Sequence, residues 1–108
     1  MNYSTVLLKV IKSPQQYFSQ TENVIPVTEF VGKFYQRKSN NYTICKVSIY
    51  GNFAAQVLEY YNLNDYVIVE GHVRLNESNF IDSNLKSNIE IIACKTYPYA
   101  LHLTKRNK

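Results

Sequence analysis

The stretch Tyr42–Gly71, YTICKVSIYGNFAAQVLEYYNLNDYVIVEG, contains the clearest secondary-structure signals in this chain of 108 residues. Its first nine residues alternate between apolar and polar side chains, which is the two-residue period of a half-buried β-strand. One face of this predicted strand carries Cys45, Val47 and Ile49, and the other carries Lys46, Ser48 and Tyr50. We therefore expect the first set in a protein core and the second set on an accessible face.

A helix and a further strand are predicted after this first strand. Gly51-Asn52 ends the strand, and asparagine is a residue type that caps helices. Apolar residues then recur at helical spacing up to about Tyr61. Alternation returns in Tyr66–Leu75, where Gly71 permits sharp coiling. The residues predicted to point inward from this second strand are Val67, Val69, Val73 and Leu75.

Three more strands are predicted from runs of β-branched, aliphatic and aromatic residues. They are Thr5–Ile11, stopped by Pro14; Val24–Tyr35, with Pro26 at an edge or start and Gly32 at a bulge; and Ile89–Thr96. Five strands with one helix after the third indicate an all-β fold of the OB type, a five-stranded Greek-key barrel. An SH3-like barrel or a β-sandwich fits the same pattern. The predicted domain spans residues 1–101, followed by a basic tail, 102–108.

Composition limits the function classes. Lys and Arg number 12 against 8 Asp and Glu, a net charge of +4 that favours polyanionic partners. Cys45 and Cys94 lie far apart without zinc-ligand spacing, so we expect reduced thiols and neither a metal nor a cofactor. No apolar run is long enough for a membrane span. No nucleophile elbow, phosphate-binding glycine loop or paired-carboxylate motif is present, so the sequence predicts a binding protein and not an enzyme.

Two short motifs add to this pattern, Tyr50-Gly51 at the end of the third strand and Val69-Glu70-Gly71 in the fourth. They resemble the signature region of bacterial-type single-stranded DNA-binding (SSB) proteins. Ser13-Pro14, where that family commonly has Asp-Pro, and the closing apolar strand with Glu90 extend the resemblance over nearly the whole chain. The sequence is similar in particular to the short SSB-like proteins encoded in plastid genomes of red algae and related lineages, which suits its rich Asn, Lys, Ile and Tyr content.

The resemblance implies an OB-fold that binds single-stranded DNA largely without sequence preference and supports DNA replication, recombination or repair. It also implies a homodimer or homotetramer and a plastid location, with bacterial-type cytoplasm or nucleoid as the alternative. Two departures qualify it. The tryptophan common near the start of strand three corresponds to Ile44, and no Trp exists in the chain. The family's acidic C-terminal tip has no counterpart, because this sequence ends Lys105-Arg106-Asn107-Lys108.

Binding of a single strand requires cations for phosphates and exposed aromatic planes for bases. Interleaved basic and aromatic residues on strands two and three, with cations on strands one and four and a ring in the following loop, meet this requirement. The predicted nucleic-acid-binding residues are Lys9, Lys33, Tyr35, Arg37, Lys46, Tyr50, Arg74 and Phe80. An RNA-binding OB-fold would use the same groove. A protein-binding adaptor that has lost nucleic-acid binding is the third alternative.

Overall fold

The computed structural model describes residues 3–18, 24–35, 41–75 and 89–100. These residues form β1 Tyr3–Phe18, β2 Pro26–Tyr35, β3 Tyr42–Tyr50, α1 Phe53–Tyr60, β4 Tyr66–Leu75 and β5 Ile89–Ala100. The strands close into a barrel in the order β1-β2-β3-β5-β4. The β3–β5 pair is parallel, and the other neighbouring pairs are antiparallel. The predicted barrel with a helix after the third strand is confirmed.

Alternate residues of the strands fill the interior of the barrel. The fully or almost fully buried apolar residues include Leu8, Val10, Phe30, Cys45, Val47, Ile49, Val67, Val69 and Ile91. Removal of this apolar surface from water is the main stabilising contribution to the fold. Helix α1 buries Ala54 and Val57 against the same core. The Thr28 hydroxyl of β2 donates a 2.8 Å hydrogen bond to the Ala54 carbonyl, which attaches the helix to the barrel.

Strand β1 is longer than its sequence predicts, because it continues past Pro14 to Phe18. The register with β2 shifts between Val10 and Lys12 and again between Lys12 and Gln15. A bulge leaves a residue of one strand outside the ladder, so a proline without an N–H is tolerated there. The sequence pattern predicted a bulge at Gly32 of β2. The first bulge lies instead in β1, opposite Gly32.

The connection from β3 to β4 holds α1 in place. Gly51 has a φ of +87°, a left-handed conformation that glycine adopts without strain. Asn52 occupies the N-cap position, but its side chain makes no capping hydrogen bond, so the predicted cap is wrong in this respect. After the helix, the Asn64 N–H donates to the Val10 carbonyl and the Val10 N–H donates to the Asp65 carbonyl, each at 2.8 Å. The end of the helical connection is thus fixed to β1.

Strands β4 and β5 differ from the prediction at their ends. Leu75 was expected inside the barrel but is 71% exposed, because β4 has left the core at its last residues. Strand β5 runs to Ala100 and not to Thr96, with register shifts opposite Tyr66–Val67 and Glu70–Gly71. At the second shift the β5 backbone comes so close to Gly71 that any side chain there would collide with it.

Candidate nucleic-acid interface

The outward residues of β2 and β3 lie on one side of the sheet, here named the β2–β3 outer face, although Val27, Val31 and Ser48 on this side are buried. In the register of the two strands Val27 pairs with Tyr50, Glu29 with Ser48, Val31 with Lys46 and Lys33 with Ile44. Successive side chains of a strand point to opposite faces, so these eight residues share the side away from the barrel core. Three of the predicted binding residues, Lys33, Lys46 and Tyr50, therefore lie on this face.

Two lysines face each other at one end of the β2–β3 outer face. Lys9 of β1 is in register with Lys33 of β2 on one side and with Tyr66 of β4 on the other. The Lys33 Nζ lies 4.5 Å from the centroid of the Tyr42 ring, and the Lys9 Nζ lies 5.8 Å from that of Tyr66. Like charges directly opposite in a sheet repel, and ring contacts of this kind offset part of the repulsion. Positive charge is thus concentrated at this end, which we name the Lys9–Lys33 row.

The centre of the face is a network of opposite charges. The Lys46 Nζ lies 3.6 Å from Glu29 Oε2 and 3.8 Å from Glu90 Oε2. Arg74 Nη2 donates to Glu90 Oε1 at 3.1 Å, and the Ser48 hydroxyl donates to Glu90 Oε2 at 2.7 Å. The positive charges of Lys46 and Arg74, both predicted to bind phosphate, are therefore already offset by carboxylates of the chain itself.

Two exposed tyrosines flank Val27 at the other end of the face. Val27 is in register with Tyr50 of β3 and with Tyr17 of β1. The side chains of Tyr50 and Tyr17 are 46% and 45% exposed, and Phe18 beside them is 52% exposed. The Tyr17 hydroxyl donates a 2.5 Å hydrogen bond to Glu29 Oε2, and partial burial together with this bond raises the pKa of Tyr17. These rings are apolar planes on which bases can stack.

The binding residues predicted from the sequence do not include Tyr17 and Tyr42. Tyr42, Lys46 and Tyr50 are separated by even numbers of residues along β3, so their side chains share one face of the strand. The alternation that predicted Lys46 and Tyr50 therefore also indicates Tyr42. Tyr17 lies beyond Pro14, where the strand was expected to have ended. Its place on the face depends on the bulges of β1, which the local sequence does not specify.

The remaining predicted residues lie elsewhere or outside the described part of the chain. Arg74 is on β4, which is two strands away from β3 in the barrel order. Its hydrogen bond to Glu90 connects it to the β2–β3 outer face. Tyr35 is the last residue of β2 and is in register with Tyr42, but its side chain is outside the part of the chain that the structure describes. Arg37 and Phe80 both lie outside the described residues.

The two cysteines are separate free thiols. Cys45 is buried in the barrel, and this burial raises the pKa of its thiol to about 12, whereas Cys94 is exposed on β5. Within residues 3–18, 24–35, 41–75 and 89–100, no group of three or more His, Cys, Asp or Glu side chains is placed to hold a metal ion. No helix among these residues is long and apolar enough to cross a membrane.

Comparison with known proteins bears on both the fold and the family. No family model matches the sequence. A Trieres chinensis protein, named provisionally as the single-stranded DNA-binding protein ycf41, is 39% identical over 115 residues, and the match covers all of both chains. The SSB domain of a Synechococcus sp. protein superposes with a TM-score of 0.72 at 26% identity, over 90% of this chain and 94% of that one.

Two further solved structures show the same fold at lower identity. The second single-stranded DNA-binding protein, SSBb, of Mycobacterium smegmatis gives a TM-score of 0.68 at 23% identity, over 96% of this chain and 91% of that one. The small single-stranded DNA-binding protein of Streptomyces coelicolor gives 0.63 at 17%, over 92% and 95%. The barrel of this chain is therefore the OB-fold of SSB domains, and the full-length match shows that the chain belongs to the SSB-like family represented by ycf41.

Proposed function

We propose that this chain binds single-stranded DNA, largely without sequence preference, through the β2–β3 outer face. The observation that carries the proposal is the presence on one face of a cationic end, the Lys9–Lys33 row, and an aromatic end with the exposed rings of Tyr50 and Tyr17. Cations for the phosphates and planes for the bases are the two requirements of sequence-tolerant binding. The names of the similar proteins support the same function.

In this proposal Lys9 and Lys33 contact phosphates, and Tyr50 stacks with a base. Tyr35 and Arg37 extend the surface along the end of β2, and Phe80 extends it from the connection between β4 and β5, as OB-folds commonly do. Lys46 and Arg74 belong to the centre of the face, where Glu29 and Glu90 already contact them. The bound single strand serves DNA replication, recombination or repair, and the protein acts by binding and not by catalysis.

Binding of fluorescently labelled oligonucleotides tests this function. We expect oligo-dT to bind more tightly than a duplex of the same length, because paired bases cannot stack on the exposed rings. Oligo-U separates the RNA-binding alternative, since it differs from oligo-dT chiefly in the 2′-hydroxyl. A folded chain that binds neither single strand would contradict the proposal and favour the protein-binding adaptor.

We also propose that the protein forms a homodimer or homotetramer. An apolar row crosses the outer side of β1, β4 and β5 beside the Lys9–Lys33 row, where Leu7 of β1 is in register with Ile68 of β4 and Ile68 with Tyr97 of β5. Leu7 is 43% and Tyr97 41% exposed. Contact between two copies would remove this apolar surface from water.

The location and the domain limits are proposals as well. The similarity to ycf41 of Trieres chinensis, together with the resemblance to the SSB-like proteins of plastid genomes, supports a plastid location for this chain. Immunodetection in isolated plastids tests it. We place the folded OB unit within residues 1–101 and a basic tail in 102–108. Truncation after residue 101 should leave the unfolding transition unchanged.

A further inference from the structure

Tyr66 is an exposed ring beside the β2–β3 outer face, on the other side of β1. It is the first residue of β4, and its side chain is 37% exposed. Its register partner in β1 is Lys9, the lysine that also faces Lys33 of β2. Because β1 lies between β2 and β4 in the barrel, Lys9 connects the β2–β3 outer face to Tyr66.

The start of β4 is fixed to β1 by the backbone. The Asn64 N–H donates to the Val10 carbonyl, and the Val10 N–H donates to the Asp65 carbonyl, each at 2.8 Å. The buried Asp65 carboxylate accepts a 2.7 Å hydrogen bond from the Asn62 N–H within the same turn. Tyr66 follows this turn directly. A ring on such a backbone is preorganised, so little freedom is lost when a ligand binds to it.

The surroundings of Lys9 favour a phosphate. Its nearest neighbours on the outward side, by register and along β1, are uncharged or basic. They are Leu7, Tyr66, Lys33 and, beyond the first bulge of β1, Lys12. The outward carboxylates Glu29 of β2 and Glu70 of β4 lie four residues, or about 13 Å, along those strands from the register partners of Lys9. Salt screens exposed charges at this separation, because the Debye length is about 8 Å at physiological ionic strength.

The contact between Lys9 and Tyr66 brings together the two groups that a nucleotide requires. The Lys9 Nζ lies over the Tyr66 ring, 5.8 Å from its centroid. Cation–π contacts extend to about 6 Å, so this contact is at its outer limit and is easily exchanged. A phosphate that binds the ammonium therefore leaves the ring to a base. Since a nucleotide carries both groups on one sugar, a single nucleotide can bind the lysine and the tyrosine together.

Tyr3 of β1 has the opposite environment. Its side chain is 51% exposed, but its hydroxyl donates a 3.3 Å hydrogen bond to Glu70 Oε1. Its ring also packs edge-on against His72, with 5.2 Å between the centroids. A phosphate beside this ring would meet a carboxylate, and like charges in contact repel. Of these two exposed tyrosines, Tyr66 therefore fits a nucleotide and Tyr3 does not.

We propose that Lys9 and Tyr66 form a further nucleotide subsite, in which Lys9 binds the phosphate and Tyr66 stacks with the base. The bound strand then crosses the β-strands, from the β2–β3 outer face over β1 to the start of β4. This inference rests on the proposed binding of single-stranded DNA and extends its footprint. The apolar row begins two residues further along β4, at Ile68, and stays available to a second copy.

Replacement of the Tyr66 ring tests the subsite. Tyr66→Leu should weaken binding to an oligo-dT of about 16 nucleotides, the upper end of the site size of one OB-fold, by between about 5-fold and about 150-fold. Leucine keeps apolar volume but has no plane on which a base can stack. Tyr66→Phe keeps the plane and should bind as the unmodified chain does. Tyr3→Leu is the matched control and should leave the affinity unchanged.

An abasic oligonucleotide of the same length separates stacking from other effects. Tyr66→Leu and the unmodified chain should bind it equally, because it offers no base to the ring. Lys9→Gln should flatten the slope of log K against log salt by about 0.7 for both oligonucleotides, because both retain their phosphates. Thermal unfolding verifies the fold of each variant, and Tyr66→Gln replaces Tyr66→Leu if the latter does not fold.

Three results would overturn the inference. The folded Tyr66 variant could bind oligo-dT as tightly as the unmodified chain, or lose the same factor for the abasic strand. It could also shift the mass in light scattering toward the monomer, which would place Tyr66 between two copies. In each case, weaker binding by Tyr50→Ala would still support the proposed function. Absence of oligo-dT binding by the unmodified chain would contradict both.

Discussion

Among single residues, Tyr50 supports the proposed stacking most directly. Its ring is exposed, while Val47 and Ile49 of the same strand hold the core. We expect Tyr50→Ala to weaken binding to oligo-dT by about 1–3 kcal/mol, because one base loses its stacking partner. Fluorescence anisotropy measures the change. Tyr60→Ala, which removes a ring of similar exposure on α1, should have no such effect. A loss of only a few tenths of a kcal/mol for Tyr50→Ala would exclude Tyr50 from the site.

The two cysteines provide a second test at this scale. A thiol reacts as the thiolate, and burial raises the pKa of Cys45 to about 12, whereas Cys94 is exposed. We expect a thiol reagent near neutral pH to label Cys94 alone in the folded protein and both cysteines after unfolding in urea. Mass spectrometry counts the labels. Rapid labelling of Cys45 under native conditions would show that its strand is not part of a stable core.

Among the elements, the β4–β5 pair depends on Gly71. A Cβ at this position would lie 2.8 Å from the Ala93 Cα, and it would also overlap the Ile92 carbonyl. We expect Gly71→Ala to lower the free energy of unfolding by about 2–3 kcal/mol, because backbone atoms of β5 must move. Urea denaturation measures this value. Gly51→Asn should cost less than about 1 kcal/mol, since Gly51 has open space around it and asparagine tolerates a positive φ. Equal losses would argue against the close approach of β5.

The sequence predicted the elements whose pattern is local and missed those that depend on a partner strand. The alternation of Tyr42–Tyr50 defined β3 and the positions of Lys46 and Tyr50, and the same reasoning found β4. The continuation of β1 past Pro14 depends on bulges that form against β2, so local propensity indicated a loop. The contact of Glu90 with Lys46 requires the parallel pairing of β3 with β5, which residue spacing along the chain does not reveal.

For the whole molecule, self-association is the first testable property. We expect light scattering to give a mass at least twice that of the 12.6 kDa chain at micromolar concentration. Leu7→Arg places a charge at the β1 end of the apolar row on β1, β4 and β5 and should shift the mass toward the monomer, because burying an unpaired charge is costly. Leu75→Arg, at an exposed position outside that row, is the control. A monomer across this range for the unmodified chain would contradict the proposed oligomer.

The distribution of charge over the whole barrel determines where a polyanion binds. Lys9 and Lys33 lie side by side on β1 and β2, whereas Lys95 is exposed on β5, which neighbours neither of these strands in the barrel. A cation held by a strand meets a bound phosphate at a fixed position, whereas a distant cation acts through a field that salt screens within about 10 Å. Lys9 and Lys33 should therefore each contribute more to the salt dependence of binding than Lys95 does.

The salt dependence of oligo-dT binding by Lys9→Gln/Lys33→Gln tests the binding surface most directly. The unmodified chain should bind with an affinity that falls as salt rises, and loss of two phosphate contacts should flatten the slope of log K against log salt by about 1.4. Lys33→Gln alone should flatten it by about 0.7, and Lys95→Gln by less than that. The proposed surface is contradicted if the double variant retains the slope of the unmodified chain, or if Lys95→Gln flattens it as much as Lys33→Gln does.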